Sequence, residues 1–175
     1  MLETFDLVDE NDQVIGETDK ETSHKNGLIH RIVAVFVFDN NGRLFVQEHI
    51  KSGNKLDHTV GGHVKKSEGY DDAARREAEE EVGLTEPLTR ISIFYSDETW
   101  GGSNIRHMIG LYECKPSTWI FRENEEVKNL IPMVLKDIVE LMNKEPKKFT
   151  GGFKNTMFEY IKQKGIPLSL TNYNV

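Results

Sequence analysis

The segment that most constrains the fold is residues 61–84, which read GGHVKKSEGYDDAARREAEEEVGL. A glycine pair and a polar stretch lead into alanines and a valine at helical spacing, which predict a helix at about 70–82. Asp71 and Asp72 fall in its first turn, where the helix dipole favours acids, and Gly83 suits the position after its last residue. The segment therefore predicts a short extended strand, a loop and one acidic helix.

Four glutamates crowd the second half of this helix. Glu77 and Glu81 are four residues apart and share one face, and Glu80 borders the same face. Glu79 points elsewhere, as a solvated residue would. Like charges at this spacing repel one another unless a cation compensates them, and Mg²⁺ and Mn²⁺ take carboxylate oxygens as ligands. Taken alone, such a cluster is more often a solvated helix face than a metal site. The spacing of the residues around the cluster is therefore needed to distinguish these two interpretations.

The rest of the chain alternates short strands with amphipathic helices. Its order predicts a mixed α/β fold (an α+β arrangement), in which a mixed β-sheet is sandwiched between helices. The length of 175 residues suits a single domain over residues 1–175. The individual predictions are a hairpin of 5–9 and 13–17, a polar loop at 16–30, a buried strand at 31–39 with its partner at 43–49, paired strands at 89–97 and 105–115, an acidic loop at 123–129, and helices at 131–144 and 153–165.

Composition excludes several functional classes. The formal net charge of −7 argues against non-specific binding to nucleic acid or to an anionic membrane. Cys114 is the only cysteine, so no intramolecular disulfide is expected, which suits a reducing, cytoplasmic location. The longest apolar run, residues 32–38, is too short to span a bilayer, and the first residues are acidic rather than signal-like.

The full spacing of the acidic segment resembles the Nudix box, G-x5-E-x7-R-E-U-x-E-E-x-G-U, in which U is apolar. Every fixed position of this 23-residue pattern agrees, and the predicted flanking strands and helices also resemble the Nudix fold. The chain is therefore identified as a member of the Nudix superfamily over most of its length. The matching residues are Gly62, Glu68, Arg76, Glu77, Glu80, Glu81 and Gly83, with Ala78 and Leu84 at the apolar positions.

The resemblance implies a Mg²⁺-dependent pyrophosphohydrolase, with Mn²⁺ as a substitute, that acts on a nucleoside diphosphate linked to another group. Its expected partner is therefore a small pyrophosphate substrate, and dimerisation is common in the family. By the same resemblance Arg76 and Glu68 would orient the loop and the helix. The implied metal ligands are the Gly62 carbonyl, Glu77, Glu80 and Glu81.

The proton acceptor for the attacking water varies within the family. Glu80 is one candidate, and Glu126 or Glu125 of the late acidic loop is another, against the simpler interpretation that these two are solvated loop charges. Glu81 is expected to matter for catalysis through the metal.

Several residues outside the metal set are candidates for binding substrate. The basic side chains of this group suit phosphates, and Tyr95, like its neighbours Phe94 and Trp100, could stack on a base. Plain surface and core roles compete with each of these assignments. The predicted substrate-binding residues are Arg43, His63, Lys66, Tyr95 and Arg106.

The segments VDENDQVIGE, SHKNGLIHR, FVQEH and GGHV also resemble the isopentenyl-diphosphate isomerase branch of the superfamily. Those isomerases place a catalytic cysteine in a C-G-H segment and bind a metal through histidines near such positions. Here Gly61 replaces that cysteine, and Asn104 and Arg106 stand about where the isomerase uses two glutamates. For His24 and His30 we favour a structural role that fixes the N-terminal loop. An isomerase-like enzyme and a silent nucleotide-binding module are the alternatives to a hydrolase.

Overall fold

The computed structural model describes residues 3–100, 103–119, 121 and 127–167. Strands form the centre of the molecule in these ranges, and helices cover both faces. In chain order the elements are β1 (Thr4–Val8), β2 (Val14–Asp19), α1 (Lys20–Asn26), β3 (His30–Val37), β4 (Leu44–His49), β5 (Lys55–Asp57), β6 (Val60–His63), α2 (Tyr70–Val82), β7 (Thr89–Trp100), β8 (Ser103–Cys114), β9 (Val127–Met133), α3 (Leu135–Lys144) and α4 (Gly151–Gln163).

The main sheet is built around β3. Its strand order is β2-β1-β3-β8-β7, with β6 also paired to β3. Strand β3 runs parallel to β8 and antiparallel to β6. Val33 and Val35 pack on the side of α2, whereas Ala34 and Phe36 pack against α3 and α4. The near-continuous apolar run of β3 is therefore explained by burial on both faces, and the predicted mixed sheet between helices is confirmed.

A second sheet has the order β5-β4-β9. The prediction that residues 43–49 pair with 31–39 is wrong, because only one bridge, Phe38 to Leu44, joins the two segments. After that bridge β4 leaves the main sheet and pairs with β5 and β9. Leu44 and Val46 are then fully buried in the core shared with α3 and α4. The pairing of β4 is therefore determined by burial against these helices. The tight turn at residues 39–42 does not make β4 a partner of β3.

The polar loop predicted at 16–30 is also wrong in part, because it contains β2 and the helix α1. The Asp19 side chain caps this helix by accepting a hydrogen bond from the Thr22 backbone N–H at 2.9 Å. Gly27 ends it in the left-handed region (φ 61°), with its N–H donating to the Ser23 carbonyl. Two capping interactions thus stabilise a helix that carries no apolar stripe.

The later helices agree with the sequence more closely. Helix α2 spans Tyr70–Val82 as predicted, and Gly83 follows in the left-handed region (φ 66°). Helix α3 begins four residues later than expected, because β9 continues through Pro132. Strand β9 lies at a sheet edge, where a proline costs no ladder hydrogen bond. None of the described helices has the length and apolar character needed to cross a bilayer.

Candidate functional site

Helix α2 is oriented by its alanines. Ala73, Ala74 and Ala78 are fully buried against the sheet, so the opposite face of the helix is solvated. Glu77 lies at the flank, with a side chain only 14% exposed, whereas the Glu80 side chain is 57% exposed. Glu79 is exposed. The helical spacing predicted from the sequence therefore separates the four glutamates as expected.

The glycine pair of β6 brings the strand against these carboxylates. A Cβ atom on Gly62 would overlap the Glu77 carboxyl group, so only glycine allows this approach. The neighbouring Gly61 donates its backbone N–H to Glu81 Oε2 at 3.3 Å. Glu77 and Glu81 therefore both lie against the backbone of the same two residues.

Arg76 is the centre of the ion-pair network. Its guanidinium makes two parallel hydrogen bonds to Glu68, Nε to Oε1 at 2.9 Å and Nη2 to Oε2 at 2.8 Å. Nη1 lies 2.7 Å from Glu77 Oε1 and 3.3 Å from Glu80 Oε2, and Nη2 also donates to the His63 carbonyl at 3.0 Å. Because bidentate pairing fixes a planar fork in one orientation, this one side chain joins the loop, the helix and the end of β6.

The electrostatics of the site favour a cation. Burial raises the pKa of Glu77 above its ordinary value, and the negative Glu80 and Glu3 add to the rise despite the opposing effect of Arg76. Glu3 was not found by sequence reasoning, since only the fold brings the start of β1 close to α2. The oxygens of Glu77, Glu80, Glu81 and the Gly62 carbonyl are the donor set that a hard divalent cation prefers, so the residues present fit Mg²⁺ or Mn²⁺.

The predicted substrate-binding residues are not all brought together. Arg43 pairs with Asp39 at 2.6 Å in the turn beyond the end of β3, so it belongs to that turn. Lys66 pairs with the exposed Glu17. Arg43 and Lys66 are therefore already paired with carboxylates of the protein.

Tyr95 and Arg106 do lie together. The Tyr95 hydroxyl donates to Asp97 at 3.3 Å, and the Arg106 Nε lies 3.2 Å from the same carboxylate. Tyr95 packs on the core beneath α2. The predicted base candidates Glu125 and Glu126, and the Trp100 side chain, lie outside the described residues.

His63 points away from the glutamates and joins three other histidines. One ring nitrogen of each of His24, His30, His63 and His107 lies within 4.8 Å of the others. We call this group the histidine cluster. Burial lowers the pKa of His30 to about 4 and that of His63 to about 2, so these rings are neutral at pH 7.

His107 was not identified by sequence reasoning, although it is part of this cluster. It lies opposite His30 in the parallel pairing of β3 with β8. No local pattern predicts that pairing, which joins segments far apart in the chain.

Cys114 is buried at the end of β8, as expected for a small strand residue. Burial raises the pKa of its thiol, with Glu86 adding to the rise, so a reactive thiolate is disfavoured. It borders a surface cavity of about 440 Å³ that is also lined by Phe38, Glu113 and Tyr160. None of the box residues lines this cavity.

Comparison with known proteins identifies the family. A model of the NUDIX domain matches residues 28–150. An uncharacterized Nudix hydrolase of Streptomyces coelicolor is 38% identical over 137 residues, which cover 71% of this chain and 71% of that protein. An isopentenyl-diphosphate Delta-isomerase of Serratia proteamaculans is 30% identical over 166 residues, which cover 90% of each chain.

Among solved structures, DR0079 of Deinococcus radiodurans superposes with a TM-score of 0.65 at 23% identity, covering 82% of this chain and 90% of that one. This likeness supports the fold. The matching domain model and the similar curated relatives, together with the complete box that runs from β6 through α2 to Leu84, show that the chain belongs to the Nudix family.

Proposed function

We propose that this protein is a Mg²⁺-dependent hydrolase that cleaves the pyrophosphate linkage of a nucleoside diphosphate joined to another group. The observation that carries the proposal is the arrangement of Glu77 and Glu81 on the Gly61–Gly62 backbone, held by Arg76. Carboxylate oxygens beside one strand end suit a cation that must also meet phosphate oxygens.

Each residue of the set then has a distinct task. Glu77, Glu81 and the Gly62 carbonyl would hold the cation, whereas Arg76 fixes Glu77 and its pair with Glu68 fixes the loop. When bound, the metal neutralises the pyrophosphate and promotes in-line attack by water. Glu80 is the most exposed of the box ligands and can swing from Arg76 to accept the proton of that water.

The substrate surface is proposed to include Tyr95 and Arg106. Both flank Asp97 on neighbouring strands, where an aromatic ring and a guanidinium would meet a base and a phosphate. Arg106 is 37% exposed, which leaves part of its guanidinium accessible to a ligand. Arg43 and Lys66 are less suited, since each is engaged by a carboxylate away from this pair.

The direct test is phosphate release from a panel of nucleoside diphosphate derivatives with and without Mg²⁺. Glu81→Gln keeps the shape of the side chain but removes a negative ligand, so we expect activity to fall at least about 100-fold. Glu79→Gln is the matched control, because Glu79 is exposed on the same helix. Equal activities in the two variants would contradict the assignment.

An isopentenyl-diphosphate isomerase is the second candidate. The observation in its favour is the similarity to the Serratia proteamaculans isomerase over 90% of both chains. Isomerisation needs an acid and a base on opposite sides of the allylic carbon. Gly61 stands where the isomerase branch has its catalytic cysteine, and glycine can act as neither acid nor base. Conversion of isopentenyl diphosphate to its allylic isomer by the purified protein would replace the hydrolase proposal with this one.

A binding module without turnover is the third possibility. Loss of a box acid would favour it, but all the box acids are present. Binding of nucleotides without hydrolysis across the panel is the result that would support a silent module.

A further inference from the structure

A second group of polar residues lies next to Gly61, on the side of β6 that faces away from Glu77. A Cβ atom on Gly61 would point towards the His58 ring and lie 3.6 Å from its Nδ1. The His58 ring is packed between Phe36 and Phe153, with centroid distances of 5.9 and 5.6 Å. Gly61 itself is exposed, so a ligand can approach this side of the strand from solvent.

The carboxyl group of Asp57 fixes the orientation of the His58 ring. Asp57 Oδ1 lies 2.8 Å from His58 Nδ1 and accepts a hydrogen bond from the Thr150 hydroxyl, also at 2.8 Å. Although burial alone would raise the pKa of Asp57, the His58 and Thr150 interactions bring it below its ordinary value, so Asp57 is ionised. An ionised carboxylate only accepts, so Nδ1 carries a proton and Nε2 of the neutral ring presents a lone pair.

This lone pair has no partner. His58 is only 6% exposed, and its Nε2 is buried without a hydrogen bond to any part of the chain that the structure describes. A buried polar atom normally has a partner, because leaving it unpaired is costly. An acceptor held in one orientation by Asp57 and left unpaired therefore indicates a ligand that donates a hydrogen bond.

Helix α4 begins beside this nitrogen with two glycines, which are poor helix formers. A Cβ atom on Gly151 would overlap the Glu98 carboxyl group, and one on Gly152 would lie 3.4 Å from Glu98 Oε1 and 3.7 Å from His58 Cε1, the atom bonded to Nε2. The glycine pair therefore makes room for Glu98 and for the edge of the His58 ring. The backbone N–H groups of both glycines have no acceptor within residues 3–100, 103–119, 121 and 127–167.

Donors and acceptors thus alternate around one point. Glu98 and His58 Nε2 can accept hydrogen bonds, and the N–H groups of Gly151 and Gly152 can donate them. An anion would be repelled by Glu98 and Asp57, whereas a cation would meet the positive end of the α4 dipole. A neutral hydroxyl suits both kinds of group, since it donates one hydrogen bond and accepts others. Two adjacent hydroxyls would satisfy both acceptors, and acidic residues bind ribose hydroxyls in this way at dinucleotide sites.

We propose that Glu98, His58 and the first turn of α4 form a subsite for a vicinal diol of the substrate. The subsite rests on the proposed function, because the diol belongs to a group joined to the pyrophosphate that the box would hold. Gly61 connects the two places, since its N–H contacts Glu81 of the box and its open side faces His58. Both the ribose of the nucleoside and a sugar on the far side of the pyrophosphate carry such a diol.

Calorimetric binding to the full chain tests the subsite and distinguishes these two sources. ADP-ribose is the probe, because it carries a vicinal diol on each side of its pyrophosphate, and Ca²⁺ replaces Mg²⁺ as another cation with oxygen ligands. One analogue has a dideoxy sugar in its adenosine, and the other has a methyl group in place of the terminal ribose. We expect one of the two analogues to bind at least about tenfold more weakly than ADP-ribose. The weaker analogue identifies the sugar that the subsite binds.

Variants connect this loss to the named residues. Glu98→Gln and His58→Gln should each weaken the binding of ADP-ribose by about tenfold. Neither should change the affinity for the weaker analogue, which has no diol at the subsite to lose. Glu113→Gln is the matched control, since Glu113 contacts Tyr160 and Lys164 near the other end of α4. If the buried His58→Gln variant does not fold, Glu98→Gln at its half-buried position answers the same question.

Three results would overturn the subsite. These are equal affinities of the wild type for all three compounds, a loss in Glu98→Gln that is the same for all three, and no binding of any of them. Calorimetry does not require turnover, so the proposed function can fail separately. Diol-dependent binding through Glu98 without hydrolysis in Mg²⁺ would refute the hydrolase and keep the subsite, whereas hydrolysis without a diol preference would refute only the subsite.

Discussion

Gly62→Ala is the substitution that most sharply tests how β6 positions the acidic helix. The added methyl group would occupy the space of the Glu77 carboxyl group, and the Glu77 side chain is only 14% exposed. The side chain must therefore rotate away or the strand must move away from α2. Overpacking of this kind lowers the free energy of unfolding by about 1–3 kcal/mol. A loss of about 2 kcal/mol lowers the melting temperature of a chain of this size by roughly 4–8 °C.

The effect on activity should exceed the effect on folding. A reacting group displaced by about 1 Å loses about 100-fold in rate, which corresponds to about 2.7 kcal/mol of transition-state stabilisation. The assay is Mg²⁺-dependent hydrolysis of the best panel substrate, measured below the melting temperature of the variant. We expect a lower kcat and a higher Mg²⁺ concentration at half-maximal rate.

Gly61→Ala is the matched control. A methyl group there would lie 3.6 Å from His58 Nδ1 and 3.9 Å from the Val33 carbonyl oxygen, which are ordinary van der Waals contacts. The alanine also keeps the N–H that Glu81 accepts. Its Mg²⁺ dependence should stay close to that of the wild type. Equal losses in the two variants, or unchanged Mg²⁺ dependence in Gly62→Ala, would refute the argument that Glu77 needs the open face of Gly62.

Further predictions concern the ion-pair network, a helix cap and a buried carboxyl group. Arg76→Lys keeps the charge but loses the two-bond pairing with Glu68, so the free energy of unfolding should fall by about 1–3 kcal/mol in a urea titration, and a larger Mg²⁺ requirement should accompany it. Asp19→Ala removes the cap of α1 and should cost about 1 kcal/mol, visible as faster hydrogen exchange of the α1 amides, with unchanged exchange as the contrary result. Burial raises the pKa of Glu98, with His58 opposing the rise and Asp57 adding to it. The folded state therefore binds this proton more tightly than the unfolded state, and the resulting stability is lost as the pH rises through the folded pKa. Glu98→Gln should accordingly raise the melting temperature at pH 7 and lose that advantage near pH 4, and a pH-independent difference would contradict the assignment.

Much of the fold was predictable because its signals are local. The run at β3 is β-branched and aromatic, and helix α2 has its alanines at one spacing and glycine at its end. The Arg76–Glu68 pair follows from the same segment, since eight residues separate the two partners. In each case the residues that interact lie close together in sequence, so pattern and spacing contain the necessary information.

The errors have the opposite origin. Strand β4 follows a turn signal, yet its ladder is with β5 and β9, because burial of Leu44 and Val46 requires the second sheet. The contribution of His107 depends on the parallel pairing of β3 with β8. Glu3 approaches Glu77 only when β1 joins the sheet. These features depend on contacts between segments that are distant in the sequence. The hydrophobic periodicity of a single segment contains no information about such contacts.

Helix α1 is an intermediate case. Its capping signals, Asp19 before the first turn and Gly27 after the last, are visible in the sequence. The segment between them lacks an apolar stripe, so hydrophobic periodicity favours a loop. Capping and a small buried contact at Ser23 are enough to form a seven-residue helix once the sheet is present.

Hydrolysis directed by the box can be followed through its reaction products with phosphorus NMR. The wild-type protein is incubated with Mg²⁺ and nucleoside diphosphate derivatives in water enriched in heavy oxygen. Hydrolysis should give two phosphate-bearing products from one pyrophosphate, one of them carrying heavy oxygen, and Glu81→Gln should lose nearly all of both. Undiminished turnover in that variant, or no hydrolysis by the wild type together with isomerisation of isopentenyl diphosphate, would contradict it.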